Sequence, residues 1–155
     1  MPLNLVLVQP EIPQNTGNIA RTCAATGSCL HLVRPLGFAV TDKHLKRAGL
    51  DYWADVEVVF YDSLAAFWEA HGHRRLWLAS TKGTLTPDKV TFEADDWLVF
   101  GRETAGLPSE LIAAHPQRLV RIPMKPGTRS LNLSNAAAVL TYEALRQLGW
   151  PGLQP

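Results

Sequence analysis

The sequence predicts an α/β fold built on a mostly parallel six-stranded sheet with helices on both faces. Short apolar runs alternate with helical patterns along the whole chain. The first run, residues 3–8, is apolar at almost every position, which is typical of a strand buried on both faces of a parallel sheet. Neither an internal repeat nor a linker divides the 155 residues, so we expect one domain over residues 1–155.

Six strands are predicted from apolar runs that end at turn-forming residues. They cover residues 3–8, 30–33, 56–61, 76–79, 97–100 and 119–122. Pro35, Gly101 and Pro123 follow three of these runs and interrupt strand pairing. Because the carboxyl ends of parallel strands meet at one edge of a sheet, the residues after the fourth, fifth and sixth strands are expected to hold a ligand.

The helices are predicted from the residues that begin and end them. Asn15 is expected to cap a helix that runs to about residue 25 and ends at Gly27. A short basic helix is expected over residues 42–49. Ser63 is expected to cap a helix through residue 70, and Pro108 to begin another.

The last helix is predicted to be apolar on two sides. It follows a polar loop and ends at Gly149. Its stripes are Ala137, Leu140, Ala144 and Leu148 on one side, and Ala138, Tyr142 and Leu145 on the other. A helix that is apolar on two sides is buried on two sides. One side can therefore pack on its own sheet and the other on a second copy of the chain.

Composition and motif absences exclude several classes of protein. Apolar content of 46% and charged content of 19% are typical of a globular chain, and the net charge of +1 gives no general attraction to nucleic acid. No apolar run approaches the roughly 18 residues that span a membrane. Cys23 and Cys29 are too few for a disulfide framework, and the five histidines lack metal-ligand spacing, so we expect a cytoplasmic protein without a metal.

Three motifs carry the chemistry, and together they resemble a known family. They are N-T-G-N-I-A-R at residues 15–21, G-R-E-T-A-G-L at 101–107, and R-I-P-M at 121–124 followed by S-L-N-L-S-N-A-A-A-V at 130–139. In order and position these resemble the motifs of the SpoU branch of the SPOUT methyltransferases. P-E-I-P-Q-N-T-G-N-I and D-K-H-L-K-R-A-G-L-D-Y make the chain similar to the small, single-domain members that methylate the ribose of the tRNA wobble nucleotide, cytidine or uridine.

The resemblance implies a fold, a cofactor and partners. It implies S-adenosylmethionine as methyl donor, the anticodon stem-loop of tRNA as substrate, a homodimer, and a C-terminal trefoil knot. The knot follows from the family alone, since general topology rules disfavour knots. Two alternatives stay open: a ribosomal-RNA 2′-O-methyltransferase, and an RNA-binding factor without catalysis.

The resemblance also implies the residues of the donor site. They are Ala79, Gly101, Ile122, Met124, Ser130 and Leu131. The residue types agree with that role, because glycine permits close approach of a ligand and the apolar side chains supply walls.

Arg21 is the leading catalytic candidate, with Asn18 and Ser130. Asn18 and Arg21 are three residues apart on a predicted helix and so project from one face. The reaction that the resemblance implies is attack of a ribose 2′-hydroxyl on a sulfonium methyl group. A guanidinium is a poor general base, so stabilising the developing alkoxide or orienting a phosphate is physically easier for Arg21.

A further set is expected to contact the RNA. It comprises Glu103, Lys43, Arg47, Arg129, Asn132 and Ser134. The cations can position phosphates. Asn132 and Ser134 are also possible caps of the final helix, and one residue can serve both purposes.

Overall fold

A six-stranded sheet runs through the centre of the protein. The computed structural model describes residues 3–41, 43, 47 and 50–155. Its strands are Leu3–Val8 (β1), Cys29–Val33 (β2), Val58–Tyr61 (β3), Leu76–Ala79 (β4), Asp96–Phe100 (β5) and Leu119–Val120 (β6). They lie in the order β3-β2-β1-β5-β4-β6, and each pairing is parallel. The sheet is thus entirely parallel, and β1 and β4 have the predicted bounds.

Four helices are described. They are Pro13–Thr26 (α1), Leu64–His71 (α2), Ser109–Ala114 (α3) and Leu133–Gln147 (α4). The basic helix predicted over residues 42–49 falls mostly outside the described residues; of its members, Lys43 and Arg47 are described and exposed. No helix among the described residues is long and apolar enough to cross a membrane.

The sheet buries a cluster of apolar side chains on each face. Along β1, Leu5 belongs to the cluster that α1 and α4 cover, and Val6 belongs to the cluster that contains Phe67 of α2. This alternation follows from the two-residue period of a strand. Each fully buried Leu contributes roughly 1.5–3 kcal/mol to folding. The prediction of helices on both faces is confirmed.

Two helix boundaries were predicted correctly and one was wrong. Gly27 ends α1 in the left-handed conformation, with φ of 71°, and the Ser63 hydroxyl caps α2 by accepting from the Ala66 N–H at 3.0 Å. The prediction that Asn15 caps α1 is wrong, because the helix already begins at Pro13 and Ile12 occupies the cap position without a side-chain hydrogen bond. A carboxylate from a distant loop takes over this role, as shown below.

The two faces of α4 differ from the predicted stripes at one residue. Ala137, Leu140 and Ala144 are fully buried as expected. Leu145 was expected on the outer stripe but is fully buried, because it lies within the broad apolar face that α4 turns to the sheet. The outer face instead exposes Tyr142 and Val139, whose exposed fractions are 43% and 47%.

Candidate active site

A cavity of about 510 Å³ opens at the carboxyl ends of β4, β5 and β6, beside the start of α4. Its volume lies within the roughly 300–1,000 Å³ of small-molecule sites. All six residues predicted to hold the donor line it: Ala79, Gly101, Ile122, Met124, Ser130 and Leu131. The structure therefore brings residues as far apart in sequence as Ala79 and Leu131 to the edge where the topology predicts a ligand.

The loop over residues 101–107 forms a closely packed wall of the cavity. Arg102 and Gly106 exchange backbone hydrogen bonds of 3.2 and 2.9 Å across it. A Cβ atom on Gly101 would lie 2.1 Å from the Gly106 carbonyl carbon. Position 101 therefore requires glycine, since any side chain would push the wall out of place.

Glu103 joins this wall to the start of α1. Its carboxylate accepts from the backbone N–H groups of Glu11 and Ile12, both at 2.8 Å, and from Asn15 Nδ2 at 3.2 Å. A carboxylate at a helix N-terminus is favoured by the helix dipole. Glu103 thus caps α1 in place of the residue predicted from the sequence, and both of its oxygens are engaged.

Two further contacts fasten the same segments. The Glu11 carboxylate accepts from the Thr104 N–H at 3.1 Å and from the Thr104 hydroxyl at 2.8 Å. The backbone N–H of Thr104 is the main cause that holds the pKa of Glu11 below its ordinary value. Arg102 donates to the side-chain oxygen of Gln9, with Nε at 3.0 Å. Residues 9–12 and 102–104 are therefore linked side by side.

Asn132 caps α4 at the other side of the cavity. Its Oδ1 accepts from the Ser134 N–H at 2.9 Å, the Ser134 hydroxyl at 2.6 Å and the Asn135 N–H at 3.3 Å. Of the two capping candidates left open by the sequence, Asn132 supplies the cap. Asn132 lines the cavity, whereas Ser134 lies just outside its lining.

The predicted catalytic helix reaches the cavity through its first turn. Ile12 and Asn15 line the cavity, while Asn18 and Arg21 are exposed further along α1 and do not. At 1.5 Å per residue, Arg21 lies about 9 Å beyond Asn15 along the helix axis. Lys43, Arg47 and Arg129 are also exposed and outside the lining. The structure thus groups the six predicted donor residues at one cavity and leaves most of the predicted RNA contacts outside its lining.

Sequence reasoning missed Asn15 as a member of the site. It was assigned to helix capping, but it is buried, lines the cavity and bonds Glu103. The available signal for this role was that Asn15 is the first residue of the motif at residues 15–21.

The two cysteines do not line the cavity. Cys23 and Cys29 are free and buried, and burial raises the pKa of both thiols, that of Cys29 to about 11. Neither is therefore a thiolate nucleophile near neutral pH. Within the described part of the chain, no three His, Cys, Asp or Glu side chains form a group suited to a metal ion.

Comparison with known proteins assigns the family. The sequence profile described as "SpoU rRNA Methylase family" matches residues 2–142. The chain is 52% identical over 151 residues to the tRNA (cytidine(34)-2'-O)-methyltransferase of Escherichia coli (strain K12), covering 97% of this chain and 96% of that one.

Two solved structures share the fold. One, described as "Structural insights into the 2-OH methylation of C/U34 on tRNA", matches with a TM-score of 0.89 and 51% identity over 95% of this chain and 96% of that chain. The other, an AdoMet-bound rRNA methyltransferase from Sinorhizobium meliloti, matches with a TM-score of 0.82 and 26% identity over 94% of this chain and 56% of that chain.

A parallel sheet with this pocket at its carboxyl edge, in a fold shared with an AdoMet-bound structure, is the architecture of a methyltransferase. The chain belongs to the SpoU rRNA Methylase family. The family resemblance inferred from the three motifs is confirmed.

Proposed function

We propose that this protein transfers a methyl group from S-adenosylmethionine to the ribose 2′-oxygen of nucleotide 34, a cytidine or uridine, in the tRNA anticodon. One observation carries the proposal: full-length identity of 52% to a relative named for this reaction. The pocket supports it, because the motifs that such a reaction needs meet at one cavity. We also propose a cytoplasmic location and a single SPOUT domain over residues 1–155.

The cavity fits the donor chemically. Ile122, Met124 and Leu131 offer apolar walls for a purine, and the Ser130 hydroxyl offers a polar partner for a ribose or carboxylate. The bound donor supplies an electrophilic methyl group. Ala79 and Gly101 bring backbone groups to the same surface, so we assign all six predicted residues to donor binding.

Arg21 acts on the acceptor in this proposal. The 2′-oxygen would form a bond to the methyl carbon as the carbon–sulfur bond breaks, with its electron pair left on the sulfur and the hydroxyl proton released to water. The Arg21 guanidinium stabilises the negative charge that develops on that oxygen or fixes the adjoining phosphate, with Asn18 beside it. We assign Arg21 to the acceptor side because it lies outside the cavity lining, and Ser130 to orienting the donor end of the site.

The remaining predicted residues divide into two roles. Lys43, Arg47 and Arg129 are exposed cations that we assign to RNA phosphates. Glu103, Asn132 and Ser134 shape the acceptor side of the pocket through the contacts given above.

A second copy of the chain covers the outer face of α4 in our proposal. Tyr142 and Trp150 are 43% and 44% exposed, and their rings lie 6.1 Å apart, next to exposed Val139. Tyr142→Asp is expected to halve the mass measured by light scattering. Ala65→Asp, at an exposed position of α2, is the matched control and should leave the mass unchanged. A dimeric Tyr142→Asp variant would contradict this interface.

The trefoil knot is also proposed, with support from the packing around β6. Val120 bridges both Ala79 of β4 and Leu85 of the segment that leaves β4. The Gln147 side chain at the end of α4 bonds the carbonyl oxygen of Pro87 and the N–H of Phe92. The segment after β4 thus lies against both β6 and the end of α4, as threading requires. A crystal structure whose traced chain does not pass through this segment would refute the knot.

The experiment that tests the function is incubation with labelled methyl donor and purified tRNA or ribosomal RNA, followed by nucleoside analysis. Label in a 2′-O-methylated pyrimidine from tRNA is expected. The family description and the AdoMet-bound relative favour ribosomal RNA as the second candidate. Label in ribosomal RNA alone would establish that alternative, and no label in either RNA would favour a binding factor without catalysis.

A further inference from the structure

The mouth of the cavity carries three exposed cations to which no role has been assigned. Lys82, Arg102 and Arg121 line the cavity and are exposed. Glu103 is the acidic residue in the described lining, and its oxygens already accept from two backbone N–H groups and an amide. The mouth therefore has a net positive charge that nothing in its own lining pairs.

Arg102 is oriented without losing its charge. The Gln9 side-chain oxygen accepts from Nε and Nη2 of Arg102. Gln9 is itself held in the left-handed region, with φ of 54°, while its N–H donates to the Val33 carbonyl at 2.9 Å. A neutral amide fixes the direction of a guanidinium without neutralising it. The Glu11 carboxylate also attracts Arg102, but only weakly, and its hydrogen bonds go to Thr104.

Two other arginines, Arg75 and Arg146, are held by carboxylates. At the amino end of the sheet, Arg75 pairs with the carboxylates of Asp96 at 2.7 Å and Glu93 at 3.3 Å. On α4, Arg146 pairs with Glu143 at 2.8 Å. These are ion pairs that neutralise the guanidinium within the chain. Arg102, whose partner is the neutral amide of Gln9, therefore differs from these two arginines.

The three cations are spread along the edge of the sheet. Lys82, Arg102 and Arg121 follow β4, β5 and β6, which are neighbours in the order β5-β4-β6. Adjacent strands lie about 4.8 Å apart, so the row spans roughly 10 Å at the backbone. S-adenosylmethionine has one carboxylate and a net positive charge, and so it does not match such a row. An RNA backbone, with one negative charge per nucleotide, does.

We propose that Arg102, oriented by Gln9, binds a backbone phosphate of the RNA beside the target ribose, with Lys82 and Arg121 binding its neighbours. The inference rests on the proposed function and adds the residues that seat the substrate at the donor pocket. Phosphate contacts of this kind fix register and orientation without reading sequence.

The test measures tRNA binding to the full chain and its salt dependence, together with S-adenosylmethionine binding by calorimetry. Arg102→Ala is expected to weaken tRNA binding about tenfold and to reduce the slope of log K against log salt by about 0.7, the value for one single-stranded phosphate contact. Donor affinity should stay within about twofold. Arg74→Ala, an exposed arginine before the amino end of β4, is the matched control and should match the unsubstituted chain.

Two further variants separate phosphate binding from a structural role. Arg102→Lys keeps the positive charge but loses the planar set of N–H donors of the guanidinium. It should recover part of the tRNA affinity that Arg102→Ala loses. Gln9→Glu supplies a carboxylate that holds Arg102 at least as firmly yet neutralises it, so tRNA binding should weaken several-fold with no loss of thermal stability. If Arg102 were only structural, Gln9→Glu would leave tRNA binding unchanged.

Specific outcomes overturn the inference. Unchanged tRNA affinity in Arg102→Ala would do so, as would a loss of donor affinity with normal tRNA binding, which would assign the cation to the donor carboxylate. Because the readout is binding, it is separate from the reaction. A chain that binds tRNA through Arg102 but transfers no methyl group would overturn the proposed function and leave this inference standing.

Discussion

Replacing Gly101 by alanine tests whether the wall formed by residues 101–107 shapes the donor pocket. The added Cβ would lie 2.1 Å from the Gly106 carbonyl carbon and 2.2 Å from the Leu107 nitrogen. Since real Cβ contacts essentially never fall under 3.0 Å, the Gly106 backbone has to move by roughly 1 Å. That shift breaks the two backbone hydrogen bonds between Arg102 and Gly106 and widens the cavity.

The expected result is a selective loss of donor binding. If the displaced wall loses roughly 1.4–2.8 kcal/mol of contact with the donor, the Kd for S-adenosylmethionine should rise between about 10- and 100-fold. Calorimetry measures this Kd, and thermal unfolding measures the accompanying loss of stability.

Gly72→Ala provides the matched control. Its Cβ would lie 2.6 Å from the Trp68 carbonyl oxygen, at the end of α2 and away from the cavity. It should lower stability but preserve donor affinity. Donor binding by Gly101→Ala at the affinity of the unsubstituted chain would refute the assignment of this wall to the pocket, and so would an equal loss of affinity in Gly72→Ala.

Three further predictions concern caps and a buried histidine. Asn132→Ala removes the cap of α4 and should lower the free energy of unfolding by about 1 kcal/mol in urea titrations; an effect near zero would show that solvent replaces the cap. Glu103→Ala removes three hydrogen bonds to the start of α1 and should lower the free energy of unfolding by about 1–3 kcal/mol. Glu103→Gln should have a stability closer to that of the unsubstituted chain. Equal losses in the two variants would show that the negative charge alone provides the stability. Burial, with a smaller effect of His71, lowers the pKa of His31 to about 4 from 6.5. The unfolded chain therefore takes up a proton first as pH falls, so stability should decline between about pH 6.5 and 4, by up to about 3 kcal/mol, and then level off. His31→Gln should lack this decline in unfolding curves measured across that range, and a parallel decline in both proteins would exclude His31 as its source.

Local patterns predicted the sheet well. β1 and β4 follow from short apolar runs with clear ends, and Gly27 and Ser63 mark helix boundaries through chemistry that acts within one turn. The six predicted donor residues line one cavity because parallel strands bring their carboxyl ends to one edge of the sheet.

Local sequence patterns could not predict contacts between residues that lie far apart along the chain. Glu103 caps α1 from 88 to 92 residues away along the chain, which is why the start of that helix was assigned to Asn15. The pairing of Gln9 with Arg102 spans 93 residues and likewise has no local signal. Leu145 was placed on the wrong face of α4 because helical spacing alone does not define the width of the buried stripe.

The central claim is that the chain methylates one ribose in the tRNA anticodon. Mass-spectrometric mapping of tRNA after incubation with S-adenosylmethionine tests it most directly, with the unsubstituted chain and Arg21→Ala side by side. The unsubstituted chain is expected to add a single methyl group to the ribose of nucleotide 34, and Arg21→Ala to add none although it still binds the donor. A methyl group on a base, at another nucleotide, or at nucleotide 34 with Arg21→Ala at an undiminished rate would contradict it.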